Sequence, residues 1–186
     1  MILYRCFAWN ERARPDQPDS PLWFPRVFQG DGRHDNPDVY GCMYLTDRKA
    51  SAVVEQLARF RGQRLIETML VRRGLPLALA AIELPDKMEL IDLDDPVVLR
   101  RLRLRPSVVA TRDRSITQPQ ALSVYRDTTA AGLSWWSIFE SLWTNYTLFD
   151  RDGSRLSLQD VRTLSLEDTA VVEAADYLGL PSAATR

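Results

Sequence analysis

Residues 9–38, which separate the first two apolar runs of the chain, form a segment in which no helix or strand can be long. The segment contains five prolines and two glycines: Pro15, Pro18, Pro21, Pro25, Pro37, Gly30 and Gly32. Proline fixes φ and lacks a backbone N–H, so it interrupts helices and central strands. Irregular segments of this length inside a compact domain are usually functional or disordered. We therefore expect functional residues in this segment, which ends in Gly30–Asp38.

The rest of the chain alternates apolar runs with amphipathic stretches. The apolar runs predict strands at 2–8, 39–46, 75–84, 88–93, 133–137 and 142–150. The amphipathic stretches predict helices from Asp47 to about Phe60 and at 96–104, 117–131 and about 166–178, with a helix or helical turn in 63–73. Asp47 and Thr117 are the expected caps of their helices, and Gly132 the expected stop of 117–131.

These elements do not follow a regular strand–helix–strand rhythm, and no GxGxxG motif follows a strand. A doubly wound nucleotide fold is therefore disfavoured. The pattern indicates a mixed α+β domain, and the length of 186 residues favours a single domain over 1–186.

Composition excludes several classes of function. The 24 basic and 25 acidic residues give a net charge of −1, so no overall field attracts nucleic acid or an anionic membrane. No apolar stretch reaches the length of a membrane span, and the N-terminus lacks the pattern of a signal peptide. One histidine and no CxxC pair leave no recognisable metal site. We expect a cytoplasmic protein whose Cys6 and Cys42 are free, buried thiols.

Four residues can carry chemistry, and each has a simpler explanation. Arg33 follows a glycine in a loop and can bind a diphosphate, or can be a solvated loop arginine or one that pairs with Asp35. Tyr44 ends a strand and can stack on a planar ring, or can be an ordinary sheet residue. Glu55 lies on the opposite side of its helix from the apolar face, which is formed by Ala50, Val53, Val54 and Leu57. From there its carboxylate can stabilise a cationic ribosyl carbon or can simply be solvated.

Ser137 is the fourth, since its hydroxyl can bind a carboxamide or a ribose. A serine hydrolase that pairs Ser137 with His34 is disfavoured, because no GxSxG elbow surrounds the serine. His34 beside Asp35 can form half of a dyad or can anchor its own turn. Trp135, Trp136, Trp143 and Tyr146 can pack the core or form a stacking wall.

Taken together, these residues resemble the RES-domain family, named for its recurring Arg, Glu and Ser. The resemblance covers about 2–150; residues 151–186 extend beyond it and are expected to pack on the same domain. It rests on the segments Leu3–Cys6, Gly32–Pro37, Tyr40–Leu45, Ala52–Glu55, Asp92–Leu93, Thr117–Tyr125 and Gly132–Ser137. Its most specific part is a Gly-Arg-x-x-x-Pro loop followed by a tyrosine and a glutamate.

The resemblance implies an ADP-ribosyltransferase-like fold, with a split mixed β-sheet core and flanking helices. It implies cleavage of the nicotinamide–ribose bond of NAD, as a phosphorylase or glycohydrolase with phosphate or water as acceptor. It also implies a toxin inhibited by a helix-turn-helix, Xre-like antitoxin. A mono-ADP-ribosyltransferase with one protein target, or a catalytically idle binding module, remains the alternative.

The resemblance also implies roles for five residues. Arg33 would hold the diphosphate or the adjacent ribose, Tyr44 would stack on nicotinamide, and Ser137 would fix the nicotinamide amide or its ribose. Glu55 would stabilise the oxocarbenium-like centre or orient the acceptor. Arg5 would face the phosphates or the incoming acceptor. We expect Arg33, Tyr44 and Glu55 to converge on one pocket without a metal.

Overall fold

A computed structural model of the chain describes residues 1–14 and 17–181. The chain divides into two compact units. The first consists of Met1, Phe24–Leu45 and Leu84–Leu156; the second consists of Ile2–Trp23, Thr46–Glu83 and the residues from Ser157 onward. Within the described part of the chain, no helix is both long and apolar enough to cross a membrane.

Helices and strands are interspersed along the chain. The strands are β1 (Ile2–Ala8), β2 (Cys42–Thr46), β3 (Val71–Arg72), β4 (Leu75–Glu83), β5 (Leu90–Asp92), β6 (Gly132–Trp136), β7 (Thr144–Phe149) and β8 (Ser157–Thr163). The α-helices are α1 (Lys49–Leu57), α2 (Pro96–Arg101), α3 (Pro106–Val109), α4 (Arg114–Asp127) and α5 (Thr169–Leu178). Short 3₁₀ turns cover Arg26–Phe28, Ala58–Phe60, Glu67–Leu70 and Asp150–Arg155.

In the first unit, the strands lie in the order β2-β7-β6-β5. Strands β6 and β7 form an antiparallel pair in which Ser134 lies opposite Tyr146, whereas β5 runs parallel to β6. Apolar side chains from these strands and from α2, α3 and α4 share one core, since their burial removes apolar surface from water. Its members include Tyr40, Cys42, Ile91, Leu99, Val109, Ala121, Val124, Leu133, Trp135 and Phe149.

In the second unit, β4 pairs antiparallel with β1, β3 and β8. Helix α1 packs against β1 and α5, and its buried residues are Ser51, Ala52, Val53, Val54 and Leu57. The burial of Val53, Val54 and Leu57 follows the apolar stripe in the sequence, because residues three and four apart share a helix face. Helix α5 ends at Gly179, whose φ of 66° is a left-handed cap.

Two helix starts differ from the prediction. Helix α1 begins after Arg48, not after a cap at Asp47, and Arg48 makes no side-chain cap bond. Helix α4 begins three residues earlier than expected, because Asp113 accepts from the Ser115 N–H at 2.9 Å and so caps the helix. Thr117 is therefore inside the helix, where its hydroxyl donates to the Arg33 carbonyl at 2.5 Å.

The predicted end of that helix at Gly132 is also wrong, because α4 ends at Asp127 and Gly132 begins β6. The glycine is required for a different reason. A Cβ at Gly132 would lie 2.1 Å from the Thr147 carbonyl oxygen on β7. The two strands therefore approach each other so closely here that only a glycine fits.

Strand β8 and the short helix α3 were not predicted from the sequence. In β8, Ser-Leu-Gln-Asp-Val-Arg-Thr is polar and mostly accessible, so the alternation that marks a half-buried strand is weak. Strand β8 pairs with β4 from Ala78 to Glu83. The C-terminal extension thus supplies a strand and a helix to the second unit.

Candidate functional site

The loop after Gly30 is fixed by the carboxylate of Asp35. Its Oδ2 accepts the backbone N–H of Gly30 at 2.8 Å and of Gly32 at 2.7 Å. Its Oδ1 accepts the hydroxyl of Tyr44 at 2.7 Å. Asp35 is only 4% exposed, and these contacts satisfy a carboxylate that would be costly to bury alone. One buried side chain therefore joins the loop to β2.

Gly32 has a steric reason to be glycine. A Cβ at this position would lie 2.5 Å from the Asp35 carboxylate. A side chain there would displace the carboxylate from the N–H groups that it binds. The glycine before Arg33 therefore belongs to the same network.

Arg33 is buried, contrary to the solvated alternative. Its Nη1 donates to the Val109 carbonyl at 2.7 Å, and its own carbonyl accepts from Thr117. It is therefore fixed at both its backbone and its side chain. A guanidinium carries five N–H donors in a planar fork, so the bond to Val109 orients the fork while using one of them.

Tyr44 is half-buried on β2, and its hydroxyl is engaged on both sides. It accepts from the His34 N–H at 2.9 Å and donates to Asp35. Burial, followed by the neighbouring Cys42 and Asp35, raises the pKa of Tyr44 well above its usual value near 10. The tyrosine is therefore a neutral phenol whose one donor is already used.

His34 anchors the loop rather than forming a dyad with Asp35. Its Nδ1 lies 2.8 Å from the Thr147 hydroxyl on β7, and its ring meets the edge of Trp135 at a centroid distance of 4.6 Å. Burial, followed by the charges of Arg33 and Arg114, lowers the pKa of His34 well below 6.5. The imidazole is therefore neutral at pH 7.

Ser137 directly follows β6 and is 2% exposed. Its backbone N–H donates to the Trp143 carbonyl at 2.7 Å, and its Oγ accepts the Phe139 N–H at 3.2 Å. The hydroxyl thus closes its own turn, whereas His34 is bonded to Thr147. These different partners give no support to a Ser137–His34 hydrolase.

Arg5 lies in the second unit, on β1, and is buried. Its Nη1 donates to the carbonyls of Pro21 at 2.7 Å and Trp23 at 2.9 Å, with a longer contact to Ser20. Burial lowers the pKa of Arg5 to about 10, which leaves it protonated at pH 7. In the structure, Arg5 fixes the middle of the proline-rich segment.

Glu55 also lies in the second unit, on the accessible face of α1. Its neighbour Gln56 donates to the Cys6 carbonyl at 3.2 Å and accepts from Arg72 at 2.9 Å. The helix that carries Glu55 is therefore fixed both by its apolar face and by Gln56. This agrees with a carboxylate held on a rigid element but turned away from the core.

Both cysteines are buried and free. Burial is the main cause that raises the pKa of the Cys6 thiol to about 12 and that of Cys42 further. Because the thiolate is the reactive form, neither cysteine is suited to nucleophilic chemistry at pH 7.

The structure therefore connects some of the predicted residues. Asp35 joins Tyr44 to the loop that carries Arg33, within the first unit, and Ser137 lies in the same unit. Arg5 and Glu55 belong to the second unit. Sequence reasoning missed the role of Asp35, although an aspartate shortly after two glycines is a signal of a side chain that binds loop N–H groups. It also missed Val109 and Thr147, which no local spacing connects to the loop.

Comparison with known proteins gives a likeness of fold. No family model matches the chain, and no curated protein sequence matches it. Among solved structures, it is similar to a chain in the crystal structure of the M. tuberculosis MbcT–MbcA toxin–antitoxin complex, with a TM-score of 0.63 and 19% identity. The likeness covers 96% of this chain and 87% of that chain. The predicted mixed α+β fold with flanking helices is confirmed, and the likeness shows that the two chains share it.

Proposed function

We propose that this chain is an enzyme that cleaves the nicotinamide–ribose bond of NAD and acts as the toxin of a toxin–antitoxin pair. The observation that carries the proposal is the network in which one buried carboxylate holds both Tyr44 and the loop of Arg33. The fold likeness to a chain of a toxin–antitoxin complex, over 96% of this chain, supports it.

Cleavage of the nicotinamide–ribose bond requires mainly that the enzyme binds NAD and places negative charge near the ribosyl carbon. Nicotinamide is a pyridinium in NAD and leaves as a neutral molecule, so no strong general acid is needed. What accelerates departure is a fixed dinucleotide and negative charge near the ribosyl carbon as the bond lengthens. An arginine fork, an aromatic ring and a carboxylate supply these without a metal.

In this proposal, Arg33, Tyr44 and Ser137 recognise the dinucleotide. Arg33 binds the diphosphate through guanidinium donors that the bond to Val109 orients. Tyr44 stacks on nicotinamide, and Ser137 binds the nicotinamide amide or the ribose. Ser137 is almost completely buried, so it reaches a ligand only where an adjacent segment moves aside.

In this proposal, Glu55 supplies the negative charge. Glu55 stabilises the oxocarbenium-like centre or orients the acceptor, and it is carried by a helix whose opposite face is buried. Arg5 faces the phosphates or the acceptor only with donors other than the Nη1 bonds to Pro21 and Trp23. We therefore assign Glu55 the larger part in catalysis.

The acceptor decides the class of enzyme. With phosphate, the new bond joins the ribosyl carbon to a phosphate oxygen and the products are nicotinamide and ADP-ribose 1″-phosphate. With water, the products are nicotinamide, ADP-ribose and a proton. As partner we propose a helix-turn-helix, Xre-like antitoxin, and as location the cytoplasm.

The test is to incubate the purified full chain with NAD and to measure nicotinamide by chromatography, with and without phosphate. We expect many turnovers, with ADP-ribose 1″-phosphate or ADP-ribose identified by mass. Labelling of one protein in a lysate with little loss of NAD would instead indicate a mono-ADP-ribosyltransferase. Absence of nicotinamide with a folded protein would indicate an idle binding module and would refute the proposal.

A further inference from the structure

The network around Asp35 leads to an inference that rests on the proposed function and extends it. Asp35 touches three groups that lie apart in the chain: the N–H groups of Gly30 and Gly32 and the hydroxyl of Tyr44. These groups lie beside or within two of the residues proposed to bind NAD. Arg33 lies directly after Gly32, and Tyr44 lies on β2.

The hydroxyl of Tyr44 limits how the tyrosine can contact a ligand. A phenol has one hydrogen to donate, and here it is donated to Asp35. On its other side, the oxygen accepts from the His34 N–H. Any contact of Tyr44 with NAD therefore uses the face of the ring rather than the donor of its hydroxyl.

We propose that Asp35 is a positioning residue that sets the Arg33 loop and the Tyr44 ring together, and that Tyr44 recognises NAD through its ring alone. Asp35 itself makes no contact with NAD in this scheme. Because its carboxylate binds both, a displacement of Tyr44 also displaces the loop, and a displacement of the loop also displaces Tyr44. Gly32 is required because any side chain there would collide with that carboxylate.

The first arm of the test compares Asp35→Asn with Tyr44→Phe and with the double variant. Asparagine has one acceptor oxygen in place of two, so when that oxygen accepts the glycine N–H groups its NH2 group faces Tyr44 and cannot accept the phenol hydrogen. Phenylalanine keeps the ring but removes the hydroxyl. Each single variant should raise the KM for NAD about tenfold, the scale of one charge-assisted hydrogen bond, and change kcat by less than about threefold. The KM of the double variant should be no higher than that of the more impaired single variant, since both substitutions remove the same Asp35–Tyr44 hydrogen bond.

Asp38→Asn is the matched control, because it makes the same chemical change at an exposed position in the same segment. It should leave KM unchanged. Additive effects of Asp35→Asn and Tyr44→Phe, or a loss confined to kcat, would overturn the proposal.

The second arm does not depend on activity. The Gly30 and Gly32 amides, measured by hydrogen exchange, should be protected in the natural chain and should exchange at least about tenfold faster in Asp35→Ala, with β6 and β7 unchanged. Unchanged glycine exchange would overturn the positioning role, even if Asp35→Asn proved too unstable to assay. Protected glycines in a chain that releases no nicotinamide would refute the proposed function and leave the network in place.

Discussion

At Arg5 and Arg33, the guanidinium is buried and donates to backbone carbonyls. Removing either side chain leaves a carbonyl without its partner, which costs stability as well as any contact with a ligand. Residue-level tests of function therefore need conservative substitutions and a check of folding.

Glu55→Gln is the sharpest such substitution. The side chain is accessible, so an isosteric amide should leave the free energy of unfolding within about 0.5 kcal/mol. Because glutamine cannot stabilise positive charge at the ribosyl carbon, kcat for nicotinamide release should fall at least about 100-fold with KM little changed.

Glu173→Gln on α5 makes the same exchange at another exposed helix position and should keep full activity. Normal turnover by Glu55→Gln would show that the catalytic role assigned to Glu55 is wrong.

Arg33→Lys keeps the positive charge but removes the planar fork. A lysine binds a diphosphate as a point charge, so we expect KM for NAD to rise about tenfold with kcat within about threefold. Steady-state kinetics of nicotinamide release measure both constants. Arg100→Lys, an exposed arginine on α2, is the control, and an unchanged KM in Arg33→Lys would contradict the diphosphate role.

Among the elements, those with strong periodicity could be predicted from the sequence and the others could not. Strand β1 and the end of α5 at Gly179 agree with the prediction. Strand β8 was missed because its side chains are mostly polar. The α4 start was misplaced because Asp113 and Thr117 are both acceptable caps; in the structure Asp113 caps the helix, whereas the Thr117 hydroxyl binds Arg33. In the site, the resemblance to the RES-domain family indicated Arg33 and Tyr44. It could not indicate Val109 and Thr117, the partners of Arg33, which lie 76 and 84 residues from it.

Gly132→Ala tests the close approach of β6 and β7. The added methyl group would meet backbone atoms of Thr147 and Leu148, which cannot rotate away as a side chain can. We expect a loss of at least about 2 kcal/mol in the free energy of unfolding, measured by urea denaturation. At Gly62, an added Cβ would have no atom within 4 Å, so Gly62→Ala should lower the free energy of unfolding by only about 1 kcal/mol, because of the positive φ at this position. A Gly132→Ala chain as stable as the natural one would contradict the observed spacing.

For the molecule as a whole, the single histidine makes the pH dependence of stability simple to interpret. In the unfolded chain His34 takes up a proton near pH 6.5, whereas burial lowers its pKa well below that in the folded chain. The unfolded state therefore binds more protons below pH 6.5, and the free energy of unfolding falls as the pH falls, by at most about 1.4 kcal/mol per pH unit.

Thermal unfolding at pH 7.5 and 5.5 measures this effect. The midpoint temperature of the natural chain should be lower at pH 5.5 than at pH 7.5. The His34→Gln chain has no histidine to titrate between these pH values, so most of that difference should be lost. Equal differences in both chains would show that His34 does not titrate as its burial requires.

If the chain breaks the bond between nicotinamide and ribose, proton NMR of NAD mixed with the purified protein observes the cleavage directly. The nicotinamide ring protons should move from their positions in NAD to those of free nicotinamide, in large excess over the protein and in equal amount to the ADP-ribosyl product. An NAD spectrum that stays unchanged over a long incubation with folded protein, with phosphate present, would contradict the proposed cleavage.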